Sequence, residues 1–328
     1  MWRRGVGALT VILLVASCAE SDGPEERTTR AGAGSSAPSA AADALVVAVP
    51  SGPVGLAATS DAVWAVSVRD ESVNRLDLET GEVRGRVGVS GVPLRVADGF
   101  GALWVTSFEG RRLVRVDPVG GEVTGRVNVG QGAEGVATGF GSVWVVAQDA
   151  GQLVQVDPRH LRVQQRVGIG YGARLVVAGE SRLFVAQFLE NRVLAVDPDT
   201  GAVTPSEELC TGPQGMAPAA GLLWVACTFS DEVVAIDADT LDVVHRVDVA
   251  GAPDPVQAVD GMVLVAAEAG PALVAIDPGT ATVVSRTELG TARPLADKAN
   301  IDLALAGGRA WVSSFGEDRV YSVPLPGG

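Results

Sequence analysis

The chain has 328 residues, 47% of them hydrophobic, and 39 acidic against 25 basic side chains give a net charge of −14 with only two histidines. That length can build a large core in one or two domains, and the acidic excess argues against nucleic acid and anionic lipid as partners. Acid–base chemistry near neutrality would fall to carboxylates with shifted pKa values.

The first element is an apolar run, 5–16, behind Arg3 and Arg4 and free of acidic residues, which predicts a secretory signal. It is too short for a comfortable mature membrane span. It ends in Val15-Ala16-Ser17-Cys18, which resembles a bacterial lipobox and implies a signal peptide over 1–17 and lipidation of Cys18. The alternative is an ordinary signal peptide with an incidental cysteine. Loss of Arg3 and Arg4 would take the net charge from −14 to −16. Residues 18–43 are Ala, Gly, Ser and Pro with scattered charges and no apolar period. They read as a flexible tether with a reach of about 25–30 Å. The expected location is therefore extracytoplasmic, anchored to a membrane of the bacterial envelope.

From residue 44 onward the chain repeats. Trp64, Trp104, Trp144 and Trp224 recur every forty residues, with Phe184 and Leu264 on the same grid. Asp77, Asp117, Asp157, Asp197, Asp237 and Asp277 follow thirteen residues behind. A fixed period of this length means one supersecondary unit repeated. In the second unit, 94–97 and 102–106 read as strands rich in apolar and β-branched residues. The segment 112–116 alternates polar and apolar, 117–121 is an Asp-Pro-x-Gly-Gly turn, and 122–129 alternates again. Four short antiparallel strands per repeat make the blade of a β-propeller. Arg86, Arg126, Arg166, Arg246 and Arg286 recur on the outer strand, where charge discourages edge pairing.

The blade count follows from the phase. Fourth strands end near Val89, Val129, Ile169, Leu209, Val249 and Leu289, and one step back falls on a lone strand, 44–49. At the other end, Trp311 begins a seventh unit whose third strand contains Val320, Tyr321, Ser322 and Val323, and no fourth strand follows. The N-terminal strand must then complete the last blade, giving an all-β, seven-bladed propeller over 44–328. The seventh unit carries the one insertion, within 291–300, holding Arg293, Asp297 and Lys298. Inserted loops of this kind cost little and often carry specificity.

With Cys18 lipidated, Cys210 and Cys227 remain as a pair in an oxidising compartment. A bridge would close a loop of about 16 residues, worth roughly 3 kcal/mol; two buried free thiols are the alternative. Reductant and gel mobility separate the two.

The unit Gly52-Pro53-Val54-Gly55-Leu56-Ala57 and the run Val193-Leu194-Ala195-Val196-Asp197-Pro198-Asp199-Thr200-Gly201 resemble the YVTN-type and virginiamycin B lyase-like propeller repeats. No Gly-His or Trp-Asp pair recurs, which sets WD40 repeats aside. The resemblance covers 44–328 and implies the fold. Its lyases use a histidine and acidic residues with Mg²⁺, and neither His160, in a third-to-fourth-strand turn, nor His245, on an outer strand, can be carried onto that role. The Glu, Asn and Asp set of sugar-lactonase propellers is not matched either.

No catalytic constellation, metal spacing, phosphate loop or cofactor motif is legible. The candidates are residues that break the grid around one mouth of the ring. Arg95, Glu134, Arg174, Gln214, Asp254, Asn300 and Asp302 stand at the starts of inner strands, and Gln187 and Glu268 at the ends of second strands. Gln257 replaces an Ala or Val of the inner strand, and Lys298 lies in the inserted loop. A mixed-charge ring of this kind suits a small polar ligand, a cation or a loop of an envelope protein, on a chain expected to be a monomer. The alternative is a metal-dependent lyase or lactone hydrolase using Glu134, Asp254, Glu268 and Asp302, which requires three of them to converge on one point.

Overall fold

A computed structural model describes residues 44–291 and 301–325. The signal segment 1–17, Cys18, the tether 18–43, and Arg293, Asp297, Lys298 and Asn300 lie outside the described residues.

The described residues form seven four-stranded antiparallel sheets arranged as blades. Blade 2 shows the plan: Pro93–Gly99 innermost, then Ala102–Ser107, Arg112–Asp117 and Glu122–Asn128. The second strand is buried along its whole length, whereas the outermost alternates between exposed and half-buried residues, as a sheet edge at the rim should. The recurrent aspartates close the turns between third and fourth strands. Asp77, Asp197 and Asp237 each accept, at Oδ1, the backbone N–H groups two and three residues on. This is the local bonding that makes Asp a turn residue.

The seventh blade joins both ends of the chain. Leu45–Ala48 pairs with Arg319–Pro324, which continues through Arg309–Ser314 to Leu303–Ala306. The register runs from Leu45 opposite Ser322 to Ala48 opposite Arg319, and the Val49 N–H donates to the Asp318 carbonyl at 3.0 Å.

The core lies between blades. Seven apolar clusters fill the seven seams, each holding one grid residue packed on the next blade. Trp104 sits with Val143 and Val145, Phe184 with Leu223 and Val225, and Leu264 with Leu303 and Val312. Trp311 packs with Val63 and Ala65 and closes the ring. The tryptophan period is thus the period of the seams.

Two further ties repeat. A residue with positive φ after the second strand reaches the loop entering the next blade: Glu71 accepts from the Gly91 N–H, Asn191 from Gly212, Asp231 from Gly251 and Ala252, and Asp318 from Gly52. Asn and Asp tolerate that backbone conformation better than most residues. The outer-strand arginines also reach back across a seam. Arg166 donates to the Val129 carbonyl, Arg246 to Leu209 and Arg286 to Ala250. They bond the preceding blade as well as charging the edge. Blade 4 departs from the expected length: its outer strand is only Val203–Pro205. Pro205 offers no N–H to the ladder, and Ser206 takes over by accepting the Val193 N–H on its hydroxyl.

Candidate functional site

The inner strands run along the propeller axis, and six of the seven carry the same irregularity. Pairing with the second strand slips by one residue between Pro53 and Leu56, Pro93 and Val96, Ala133 and Val136, Ala173 and Val176, Pro213 and Met216, and Pro253 and Val256. A bulge leaves one residue unpaired and re-aims its neighbours. Five of the grid-breaking candidates, Arg95, Glu134, Arg174, Gln214 and Asp254, lie inside these bulges. Glycine occupies the second bulge position in alternate blades because neighbouring backbones touch there: a Cβ on Gly215 would meet the Asp254 carbonyl oxygen at 1.9 Å.

Around the axis lies a cavity of about 360 Å³. Its wall is aliphatic, with Val96, Val136, Val176, Met216 and Val256, and one end is set by Arg95, Asp254 and Asp302. Exposure rises along the inner strands, from buried Arg95 and Asp254 to exposed Asp98 and Gln257. The charged groups therefore form the buried floor of a funnel rather than an exposed rim.

Most of the charged and polar groups on and around that floor are internally bonded. Arg174 donates to Glu134 Oε1 at 2.7 and 2.8 Å and lies 5.2 Å from the centre of the Phe188 ring. Glu134 and Arg174 occupy the same grid position on adjacent blades, which is why they meet. Arg95 reaches past blade 1 to the Ile301 carbonyl and Asp302 Oδ2, at 3.1 and 3.3 Å. Asp302 also accepts the Leu56 and Leu303 N–H groups. Gln214 donates to the Thr228 hydroxyl, which donates to the Pro253 carbonyl.

Asp254 differs. It is completely buried, and neither carboxylate oxygen has a hydrogen-bond partner; Arg95 Nη2 is likewise unpartnered. Burial pushes the Asp254 carboxyl up to about 6 against the opposing pull of Arg95 and Arg174. Glu268, half-buried and outside the cavity wall, is pushed to about 8 by burial and then by Asp254. Asp302 is raised by burial, with Arg95 opposing.

The remaining candidates disperse. Gln187 braces a loop by donating to the Ile169 carbonyl at 2.6 Å. Gln257 stands on the wall near the opening and donates to Leu303. Lys298 and Asn300 lie outside the described residues. His160 is exposed in its turn against Asp157, whose carboxyl it holds down at about 2, and His245 sits on the outer strand Val243–Asp248. Cys210 and Cys227 form a disulfide beneath the loop that enters blade 5. The condition for the metal-dependent alternative is not met. Glu134 and Asp302 are engaged by different arginines, and among the described residues no three His, Cys, Asp or Glu side chains are grouped to hold a metal. Sequence reasoning missed Thr106 and Ser313, buried hydroxyls on second strands that accept the Arg95 and Asp302 N–H groups. Their signal was a hydroxyl at a grid position held elsewhere by Val or Ala.

A family model described as outer membrane protein assembly factor BamB matches residues 189–323. The solved structure titled streptogramin B lyase superposes with a TM-score of 0.73 at 13% identity, covering 85% of this chain and 97% of that one. Virginiamycin B lyase from Staphylococcus aureus gives 0.72 at 12%, over 86% and 99%. Hydrazine synthase of Kuenenia stuttgartiensis gives 0.73 at 14%, over 84% and 96%. At such identities the likeness concerns the fold. No curated protein matches the chain.

Proposed function

We propose that this chain is a lipid-tethered binding module of the bacterial envelope, holding a small polar ligand in its axial cavity without chemistry. The observation that carries the reading is the division of labour on the cavity floor. Glu134 and Asp302 are occupied by Arg174 and Arg95, while Asp254 stands buried and unpartnered against a cavity of about 360 Å³. A site built to bind keeps a few fixed polar groups in an otherwise apolar hollow. The match of 189–323 to a model described as an outer membrane protein assembly factor supports the envelope location.

A second reading, docking of an envelope protein, draws support from Tyr171, Leu189 and Phe229, large side chains more than half exposed on the loops of blades 4 and 5. Exposed apolar groups gathered in one place mark interaction surfaces.

Fractionation tests the tether: Cys18→Ser should move the full-length chain out of the membrane fraction, and continued membrane association would refute the anchor. A pull-down from intact envelopes separates the two binding readings. A partner lost on Phe229→Ser supports docking, whereas no partner, together with saturable small-molecule binding, supports the cavity.

A further inference from the structure

Arg95 lies on the cavity floor, and within the electrostatic reach of Arg95 and Arg174 are four carboxyl groups, Glu134, Asp254, Glu268 and Asp302. Two of the four are paired. Asp302 has spent its oxygens on Arg95 and two backbone N–H groups, and Glu134 serves Arg174. Asp98 lines the exposed end of the wall, in reach of solvent; that leaves Asp254 as the buried residue of the lining whose two carboxylate oxygens are covered and have no hydrogen-bond partner. An ionised carboxylate buried without hydrogen bonds is among the least tolerable groups in a protein interior. A donor that enters the cavity and reaches this side chain would supply the missing pairing.

We infer that the axial cavity recognises a primary ammonium group carried on a short aliphatic body, with the ammonium donating to Asp254. This rests on the reading of the cavity as the binding site and adds the ligand class. An ammonium supplies three N–H donors and the positive charge that the surplus of acid lacks. A hydroxyl supplies one donor and no charge. A quaternary ammonium has no N–H to give and is recognised by aromatic faces, whereas the described wall of this cavity is mostly Val, Leu, Met and Ala, with Asp98 and Gln257 at its exposed end and no aromatic ring. The same wall suits an alkyl chain. The volume of about 360 Å³ equals roughly a dozen waters at their liquid volume, so the body is small. Arg95 Nη2, the unused donor on the same floor, favours a ligand that also carries an acceptor, such as a carbonyl or carboxylate.

The test is calorimetric titration of the full-length chain with n-pentylammonium, 1-pentanol, pentyltrimethylammonium and pentanoate. Pentylammonium should bind with one site per chain, and at least tenfold more tightly than pentanol. Asp254→Asn keeps the shape of the side chain and removes the charge. It should cut pentylammonium affinity tenfold or more, leave pentanol unchanged, and not lower the melting temperature. Gln257→Trp, at the exposed end of the wall, should weaken both probes by obstructing the opening. Equal pentylammonium affinity in wild type and Asp254→Asn, or binding of pentyltrimethylammonium as tight as that of pentylammonium, would overturn the inference. Pentanol binding without pentylammonium binding would overturn the ammonium class and keep the cavity as the site. Binding of neither would overturn both.

Discussion

The seams between blades and the floor of the axial cavity come from the same forty-residue repeat and follow opposite rules. Each seam is apolar, fully packed and nearly identical to the next, with Trp104, Trp144, Phe184 and Trp224 exchanging places without change of role. The floor differs at every blade. Glutamate follows leucine, arginine follows glutamate, then glutamine and aspartate, in positions that the bulges make equivalent. Repetition holds where all seven blades do the same job, and it fails around the one axial cavity that the seven blades line together. The seam carries stability, and the floor spends some of it.

Substitutions can break or sharpen that contrast. The largest effect belongs to the seam: Trp104→Ala should cost about 3–5 kcal/mol in denaturant unfolding, while the folded fraction keeps its affinity for pentylammonium. If affinity fell in step with stability, seam and floor would not be separable. Next comes the disulfide, which ties blade 5 to its entering loop. Replacing both Cys210 and Cys227 with Ala should lower stability by roughly 3 kcal/mol on the loop-entropy estimate, and reductant should act on the wild type alone.

On the floor, Glu134→Ala removes the carboxylate that Arg174 donates to. The cost should be about 1–3 kcal/mol, below that of breaking a fully buried pair because Arg174 is partly exposed; thermal melts of the two chains give the value. The pH dependence of stability is the most diagnostic of these tests. The Asp254 carboxyl is raised from 3.8 to about 6 and that of Glu268 from 4.5 to about 8. The folded state thus binds more protons than the unfolded one, and stability should rise as pH falls from about 8 toward about 4. Calorimetric melts across that range should show the trend, and Asp254→Asn should flatten its lower half, between about 4 and 6. Asp157, held at about 2, acts in the opposite sense and only at more acid pH. A melting temperature that rose with pH would show that Asp254 is paired after all.

Blade count, ring closure and seam residues were legible because each depends on a period that the sequence states seven times. The phase of Trp64 and Trp311 was enough to assign Leu45–Ala48 to the last blade. The candidates at the mouth were found the same way, as departures from the grid, but their state was not. That Glu134 meets Arg174 follows from equal grid positions on neighbouring blades and could have been read. That Arg95 skips a blade to reach Asp302 could not, since it depends on a bulge and on the absence of a side chain at Gly55, whose Cβ would press on Leu94 and Arg95. The same bulges turned an expected rim into a floor. Alternation along a strand predicts a face, and a single inserted residue changes which one.

The closing strand has a mechanical consequence. Any tension transmitted through residues preceding Leu45 meets the ring at four residue pairs, Leu45 with Ser322 to Ala48 with Arg319. Beyond them the chain passes directly into blade 1. A pull from that side would peel the pairs in succession and strip the outer strand from blade 7, whose inner strands stay packed on blade 1 through Trp311, Val63 and Ala65. The element that completes the last blade is thus also the first to carry such a load. A propeller tugged from its N-terminal side would lose its closing strand first, with the other six blades still intact.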